Sequence, residues 1–231
     1  MAGRAHEFKR GAKTALPIVV GYFPIAVSYG VLAVQSGISL FHTLAMSVLV
    51  YAGASQFMAV GMIGMGVSAL ELITATFVLN FRHFVMSLSL MNVLKHVPSR
   101  WKAVLSYWIT DETFAVTSME AEKQYAQLNA SYLCGLLVCA YLSWFSGSLF
   151  GGLLSMVIPS GIGESMSIGL YAMFIGLLIP AVRTSWRVGL IAGVSAGLCS
   201  IFYLYLSSGW AIVSATVLGG TLGIFLTKEE K

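Results

Sequence analysis

Apolar residues run along this chain in long stretches that do not alternate with polar ones. Short polar or charged breaks divide them into eight segments, about 14–35, 41–65, 67–94, 103–119, 130–158, 164–182, 188–206 and 210–227. A helix that crosses a bilayer needs roughly 20 predominantly apolar residues. Most of these segments suffice, and 130–158 spans with a strong tilt. Long runs without alternation exclude a β-barrel. They predict an all-α, polytopic transmembrane helical bundle with six to eight membrane segments, one or two of them re-entrant or broken. The 103–119 segment is short and holds Asp111 and Glu112, which makes it the weakest simple span.

The pattern is most disturbed at Tyr51–Phe57, which reads YAGASQF. Five small or polar residues (Ala52, Gly53, Ala54, Ser55, Gln56) stand between two aromatics inside an apolar run. Small residues at membrane depth let backbones approach closely, or let a helix open and offer its own polar groups to a ligand. Packing alone accounts for the small residues. A buried Gln56 must still find partners, because an unpaired amide in hydrocarbon is costly. A second disturbance lies in 14–35, where Pro17, Gly21 and Pro24 fall within one span. Proline removes a backbone donor and clashes with the preceding turn, so a kinked or interrupted helix is expected there. Pro180 does the same near the end of 164–182.

Composition agrees with a membrane protein: 58% of the 231 residues are hydrophobic and 10% are charged, against about 25% charged in soluble domains. The net charge of +4 is no nucleic-acid signal, because the bases sit at the ends of apolar runs, where they orient helices. The N-terminus (Arg4, Lys9, Arg10, Lys13) is expected to be cytoplasmic and to lead into an uncleaved first helix. Arg183 with Arg187, and Lys95 with Arg100 and Lys102, mark two further cytoplasmic loops. Eight crossings keep both termini and Arg183/Arg187 inside but put Lys95–Lys102 outside. Six crossings plus two segments that enter and return satisfy all three loops, with 41–65 and 103–119 as the returning pair. The domain reading is a basic cytoplasmic N-terminus at 1–13, one transmembrane domain at 14–227 and a cytoplasmic tail at 228–231.

Charges within the apolar segments are few and therefore informative. In 67–94, Asn80-Phe81-Arg82-His83 stands in the middle. Glu71 shares a face with Arg82 but lies roughly 16 Å from it along a straight helix. Arg82 is far from either membrane surface, so an acidic or carbonyl partner is expected. In 103–119, Asp111 and Glu112 repel each other and are desolvated, so a base is expected nearby. Arg82 is expected beside Asp111 or Glu112. Capping of a surface helix is the alternative role for the two acids.

Other residues have plainer readings. Cys134, Cys139 and Cys199 fit neither a redox pair nor a disulfide framework. Met46, Met58, Met62 and Met65 are gap fillers, and no metal site is expected. His42, Trp101, Trp108 and Trp210 are interfacial. Glu164 starts a helix after the Pro159-Ser160-Gly161 turn. Gly135, Gly147, Gly151 and Gly152 suit close helix contacts, and Gly219, Gly220 and Gly223 form another packing face. No internal repeat stands out.

Several motifs together resemble one family. LPIVVGYFPIAVSYG at 16–30, VYAGASQF at 50–57, the Arg82-His83 pair and TDETFA at 110–115 are similar in order and spacing to the AzlC-type branched-chain amino acid permeases, the larger subunit of the leucine, isoleucine and valine exporters. The likeness covers about residues 11–225. Asn80 stands where the family usually has another polar or acidic residue. The resemblance implies a transporter domain that exports branched-chain amino acids, and analogues such as azaleucine, by secondary active transport. It also implies a bacterial plasma or inner membrane location and a small membrane partner of the AzlD type.

A zwitterionic substrate needs donors for its carboxylate, acceptors for its ammonium and a small apolar pocket. Opened backbone at Gly53–Ser55, with Ser55 and Gln56, is expected to hold the backbone part of the substrate. Arg82 or helix N–H groups supply donors, and Asp111 or Glu112 accepts the ammonium. Tyr51, Phe57 and Phe114 line the side-chain pocket, and Ala54 belongs to the same stretch. A pocket separates substrates by roughly 1–3 kcal/mol per methylene, so leucine, isoleucine, valine and methionine are expected to overlap. Asn80, Arg82, His83, Asp111 and Glu112 form the expected coupling or charge network, with protons carried by His83 or one of the acids. No cofactor is expected. Competing readings are a channel or permease for another small solute or ion, which the absence of acidic rings argues against, a non-transporting assembly subunit, and an intramembrane enzyme. The last lacks an HExxH or GxSxG motif, so no enzymatic activity is expected.

Overall fold

The computed structural model describes residues 2–94, 97–123, 128–159, 165 and 168–227. Among them are eleven helices: α1 (Ala2–Thr14), α2 (Leu16–Gln35), α3 (Leu40–Leu49), α4 (Gly53–Gly64), α5 (Ala69–Val93), α6 (Ser99–Ser106), α7 (Asp111–Lys123), α8 (Ala130–Leu154), α9 (Ile168–Thr184), α10 (Trp186–Phe202) and α11 (Ser208–Thr227). The described residues include no strand, as the non-alternating pattern predicts. Four helices, Leu16–Gln35, Ala69–Met91, Ala130–Leu154 and Ser208–Phe225, are long and apolar enough to cross a membrane. The protein is an all-α, polytopic helical membrane protein.

The bundle is built on the parallel pairing of α1–α2 with α8. Partners along this seam keep a constant separation in sequence. The Asn129 amide donates to Glu7 across 122 residues. The Ser143 hydroxyl donates to the Val19 carbonyl across 124, and the Gln35 amide to the Ile158 carbonyl across 123. Glycines make the approach possible. A Cβ at Gly11 or Gly135 would collide with the facing backbone at Tyr132 or Phe8, and one at Gly30 or Gly151 with that at Ser148 or Val27. Backbone contact of this kind is how membrane helices gain packing energy without a hydrophobic driving force between them.

The interruption expected between Pro17 and Pro24 lies elsewhere. Pro17 occupies the first turn of α2, where its missing donor costs little, and Pro24 sits inside a helix that runs unbroken to Gln35. The junction is at Ala15, and even there the chain keeps helical hydrogen bonds, Ala15 N–H to Gly11 and Val19 N–H to Ala15.

Two apolar segments do break. Ser39 caps α3 by accepting the His42 N–H, and α3 ends at Leu49. Tyr51 then takes a positive φ of 46°, and α4 starts at Gly53. With 10 and 12 residues, α3 and α4 are only about 15 and 18 Å long, half a bilayer core. Cross-contacts show the direction of each. Leu40 lies against Gly152 near the end of α8, whereas the Val48 carbonyl lies against Tyr141 at its middle. Returning, Gly53 meets Trp144, Phe57 meets Tyr29, and Met62 meets Gly209 and Glu71 at the start of α5. The 41–65 segment therefore enters and returns. The 103–119 segment does the same from the opposite end as α6 and α7, with its tip at Tyr107–Thr110. Near its base, Val97, Pro98, Arg100 and Trp101 line a cavity with Gly3, Arg4, Leu128 and Asn129.

α9, α10 and α11 run up and down. Gly189 faces Val182, and Gly219 and Gly223 face Ser195 and Ile191 in antiparallel order. Gly209 N–H donates to buried Glu71 at 2.8 Å, which caps α11 beside the start of α5. Six helices (α2, α5, α8, α9, α10, α11) thus run from end to end, with two hairpins between them. Arg4, Lys9, Arg10, Lys13, Arg100, Lys102, Arg183 and Arg187 all belong to segments at one end. Lys95, Glu164 and the 228–231 tail fall outside the described residues.

Candidate functional site

The tips of the two hairpins meet at half depth. The Tyr107 hydroxyl donates to the Val48 carbonyl at 2.5 Å, and the Tyr141 hydroxyl donates to the same oxygen at 3.1 Å. Beside this contact is a small cavity of about 20 Å³, bounded by Tyr22, Tyr51–Ala54, Arg82, His83, Thr110–Glu112, Trp144 and Phe174. That volume is room for about one water molecule, well below the roughly 300–1,000 Å³ of ligand pockets, so the cavity is closed in this conformation.

Each polar group reaches the cavity for a local reason. Arg82 and His83 come from the middle of α5. Asp111 and Glu112 occupy the first turn of α7, where carboxylates complement the helix dipole, and the Thr110 hydroxyl accepts the Thr113 N–H at 3.4 Å to start that helix. Arg82 Nη1 lies 2.7 Å from Asp111 Oδ2, so the cation alone on its helix does pair with one of the two acids. Its guanidinium also stands 5.9 Å from the centre of the Phe174 ring. Among the described residues, Glu112 is not paired with a base. The Tyr22 hydroxyl donates to Glu112 Oε2 and lies 2.6 Å from the Thr110 hydroxyl. His83 Nδ1 lies 2.8 Å from the Ile109 carbonyl.

The residues expected in the site divide into two groups. Tyr51, Gly53, Ala54, Arg82, His83, Asp111 and Glu112 line the cavity; Ser55, Gln56, Phe57, Asn80 and Phe114 do not. Gln56 is fully buried and belongs to a closed ring of hydrogen bonds. Its amide donates to Ser47 at 3.1 Å, Ser47 donates to Ser148 at 2.8 Å, Ser148 donates to the Trp144 carbonyl at 2.8 Å, and Trp144 Nε1 donates back to Gln56 at 3.0 Å. The ring ties α3 and α4 to α8. Ser55 donates to Asn80 at 2.5 Å, tying α4 to α5. Both polar residues of YAGASQF therefore hold the hairpin in place. The opened backbone also lies one step earlier than expected: Val50–Ala52 is irregular, and Gly53–Ser55 form the first turn of α4.

Sequence reasoning missed Tyr22, Trp144 and Phe174. Each looks like an ordinary aromatic in an apolar run, and nothing local marks it. Tyr22 had one available signal, its place within the 16–30 motif. Two half-helix N-termini, of α4 and α7, border the cavity, and such termini present free N–H groups and the positive end of the dipole. Among the described residues, no group of three His, Cys, Asp or Glu side chains is placed to hold a metal ion.

Comparison with known proteins agrees with the motifs. An uncharacterized membrane protein of Archaeoglobus fulgidus is 29% identical over 217 residues, covering 93% of each chain. The inner membrane protein YgaZ of Escherichia coli is 26% identical over 199 residues, 81% of each chain. The branched-chain amino acid transport protein AzlC of Bacillus subtilis is 19% identical over 225 residues, 97% of this chain and 87% of its own. No solved structure matches the chain. The model of the family described as AzlC protein matches residues 17–158, the stretch that carries α2, both hairpins and α8, and the chain belongs to that family.

Proposed function

We propose that this protein is a secondary active transporter that exports branched-chain amino acids across a bacterial plasma or inner membrane. The observation that carries the proposal is the meeting of two opposed half-membrane hairpins at a polar cavity. Non-helical backbone is tolerated at membrane depth only where it lines a cavity or is buried in protein, and broken helices at the midplane are a common way to build a transport site. The name of the Bacillus subtilis relative, a branched-chain amino acid transport protein, supports the substrate class.

The residues around the cavity supply the parts a zwitterion needs once the hairpins part to admit it. The first N–H groups of α4 and the Tyr51 hydroxyl offer donors to a carboxylate. Tyr51 is 3% exposed, and its hydroxyl has no partner among the described residues. Acceptors for an ammonium come from His83 and Glu112. Phe174 and Trp144 supply apolar walls of limited size, so leucine, isoleucine, valine and methionine should overlap. On this reading the base-rich end faces the cytoplasm with both termini, protons drive export, and a small AzlD-type membrane subunit acts as partner.

The test is to reconstitute the chain with and without the small subunit and measure counterflow of labelled leucine and valine, with and without a pH gradient. Saturable leucine counterflow stimulated by the gradient is expected. Its absence in both preparations would remove the transport reading and favour an assembly role.

A further inference from the structure

The cavity holds one ring-nitrogen acceptor that nothing else claims. Asp111 is paired with Arg82, and Glu112 accepts from Tyr22. The state of the His83 ring follows from its other nitrogen. Nδ1 is bonded to the Ile109 carbonyl at 2.8 Å. A carbonyl oxygen only accepts, so Nδ1 carries the hydrogen, and in the neutral ring Nε2 is a bare lone pair. Nε2 is buried and has no partner among the described residues.

The groups facing it are few. Arg82 comes from its own helix, Asp111 and Glu112 from α7, Tyr22 from α2 and Tyr51 from the hairpin tip. α8 and α9 contribute Trp144 and Phe174, which do not titrate. An ammonium placed here meets a neutral acceptor without displacing an existing ion pair.

Resting on the transport reading above, we propose that His83 Nε2 is the atom at which a proton and the substrate ammonium exclude each other. Protonated, Nε2 bears a hydrogen and repels the ammonium. Deprotonated, it accepts a hydrogen bond from it. Each substrate bound to the protonated form therefore releases one proton to water, and each proton taken up expels the substrate. Exchange coupling follows from one lone pair with two mutually exclusive occupants, and needs no relay through the acids. The Tyr51 hydroxyl and the α4 N-terminus hold the carboxylate of the bound substrate.

The test is binding to the purified wild-type chain between pH 5 and 8, with proton release measured by calorimetry in buffers of different ionisation enthalpy. On the acid side, leucine affinity is expected to fall about tenfold per pH unit with one proton released per leucine, as one competing site requires. The analogue 4-methyl-2-oxopentanoate, which lacks the ammonium, is expected to bind with no proton release. His83→Gln, which keeps an acceptor that does not titrate, is expected to bind leucine with flat pH dependence. Proton release by the oxo acid equal to that by leucine would overturn the proposal, as would wild-type leucine binding that is independent of pH, or unchanged release in the His83→Gln variant. If leucine bound at no pH, the transport reading itself would fall, and this inference with it.

Discussion

Arg82 and Gln56 are the two polar residues whose environments differ most from what an apolar run suggests. Arg82 sits mid-helix and is neutralised by Asp111 from a hairpin that enters from the basic end. Both side chains keep about 30% of their surface exposed, so the pair is not fully buried. Asp111→Asn should therefore lower stability by about 1–3 kcal/mol, short of the cost of a fully buried pair. The double exchange Arg82→Asp with Asp111→Arg should recover part of the loss, as thermal unfolding in detergent will show. Gln56 is fully buried with donor and acceptor both used. Gln56→Leu should cost about 1–3 kcal/mol by orphaning the Trp144 indole N–H and removing a donor from Ser47. Because Gln56 does not line the cavity, substrate affinity of the folded fraction should change little, which a binding titration beside the melting curve will separate. The need of Arg82 and of Gln56 for a partner was legible in the sequence. For Gln56, that its partners are Trp144 and Ser47 was not, because 88 residues separate it from Trp144 and no local pattern encodes that distance.

At the scale of elements, the stability of the bundle rests on the seam between α1–α2 and α8. Gly151 faces the Val27 backbone so closely that any side chain must push the helices apart, whereas Gly21 has nothing within 4 Å of an added Cβ. Gly151→Val is expected to abolish the folded protein, measured as loss of a monodisperse peak in detergent. Gly21→Ala is expected to leave it intact or slightly stabilised, since alanine is the better helix former by about 1 kcal/mol. Glycine enrichment in 130–158 pointed to close helix contacts, but its partner helix was hidden. The same scale explains why the prolines do not interrupt α2. Pro17 and Pro24 looked alike as breakers, yet Pro17 lies in a first turn whose N–H groups have no intrahelical acceptor in any case, and α2 continues through Pro24 to Gln35. The breaks fall instead where Tyr51 takes a positive φ and where Trp108–Thr110 leave the helix.

For the whole molecule, the packing contacts alone set the number of crossings. Constant offsets make α2 and α8 parallel, so an odd number of passages must separate them, and α5 supplies the one that is complete. The prediction is read by labelling single cysteines in a cysteine-free background. Ala5→Cys, Arg100→Cys and Trp186→Cys should react from one side, and Ser39→Cys, Gly66→Cys and Ser207→Cys from the other. If Arg100→Cys labelled with Ser39→Cys, the 103–119 segment would have to cross and the opposed hairpins would not exist.

By itself the sequence determined that this is a helical membrane protein, which stretches are apolar enough to be helical, and that an isolated arginine lies beside one of two adjacent acids. Hydrocarbon imposes those outcomes on any chain with such runs, because unpaired polar groups and charges are too costly there. It also narrowed the topology to two choices through the placement of its bases. Only the tertiary structure decided between them, separated the residues of YAGASQF that face the cavity from those that anchor it, and added Tyr22, Trp144 and Phe174 to its wall. Those outcomes depend on contacts between residues far apart in the chain, and neither hydropathy nor helical periodicity carries information over that range.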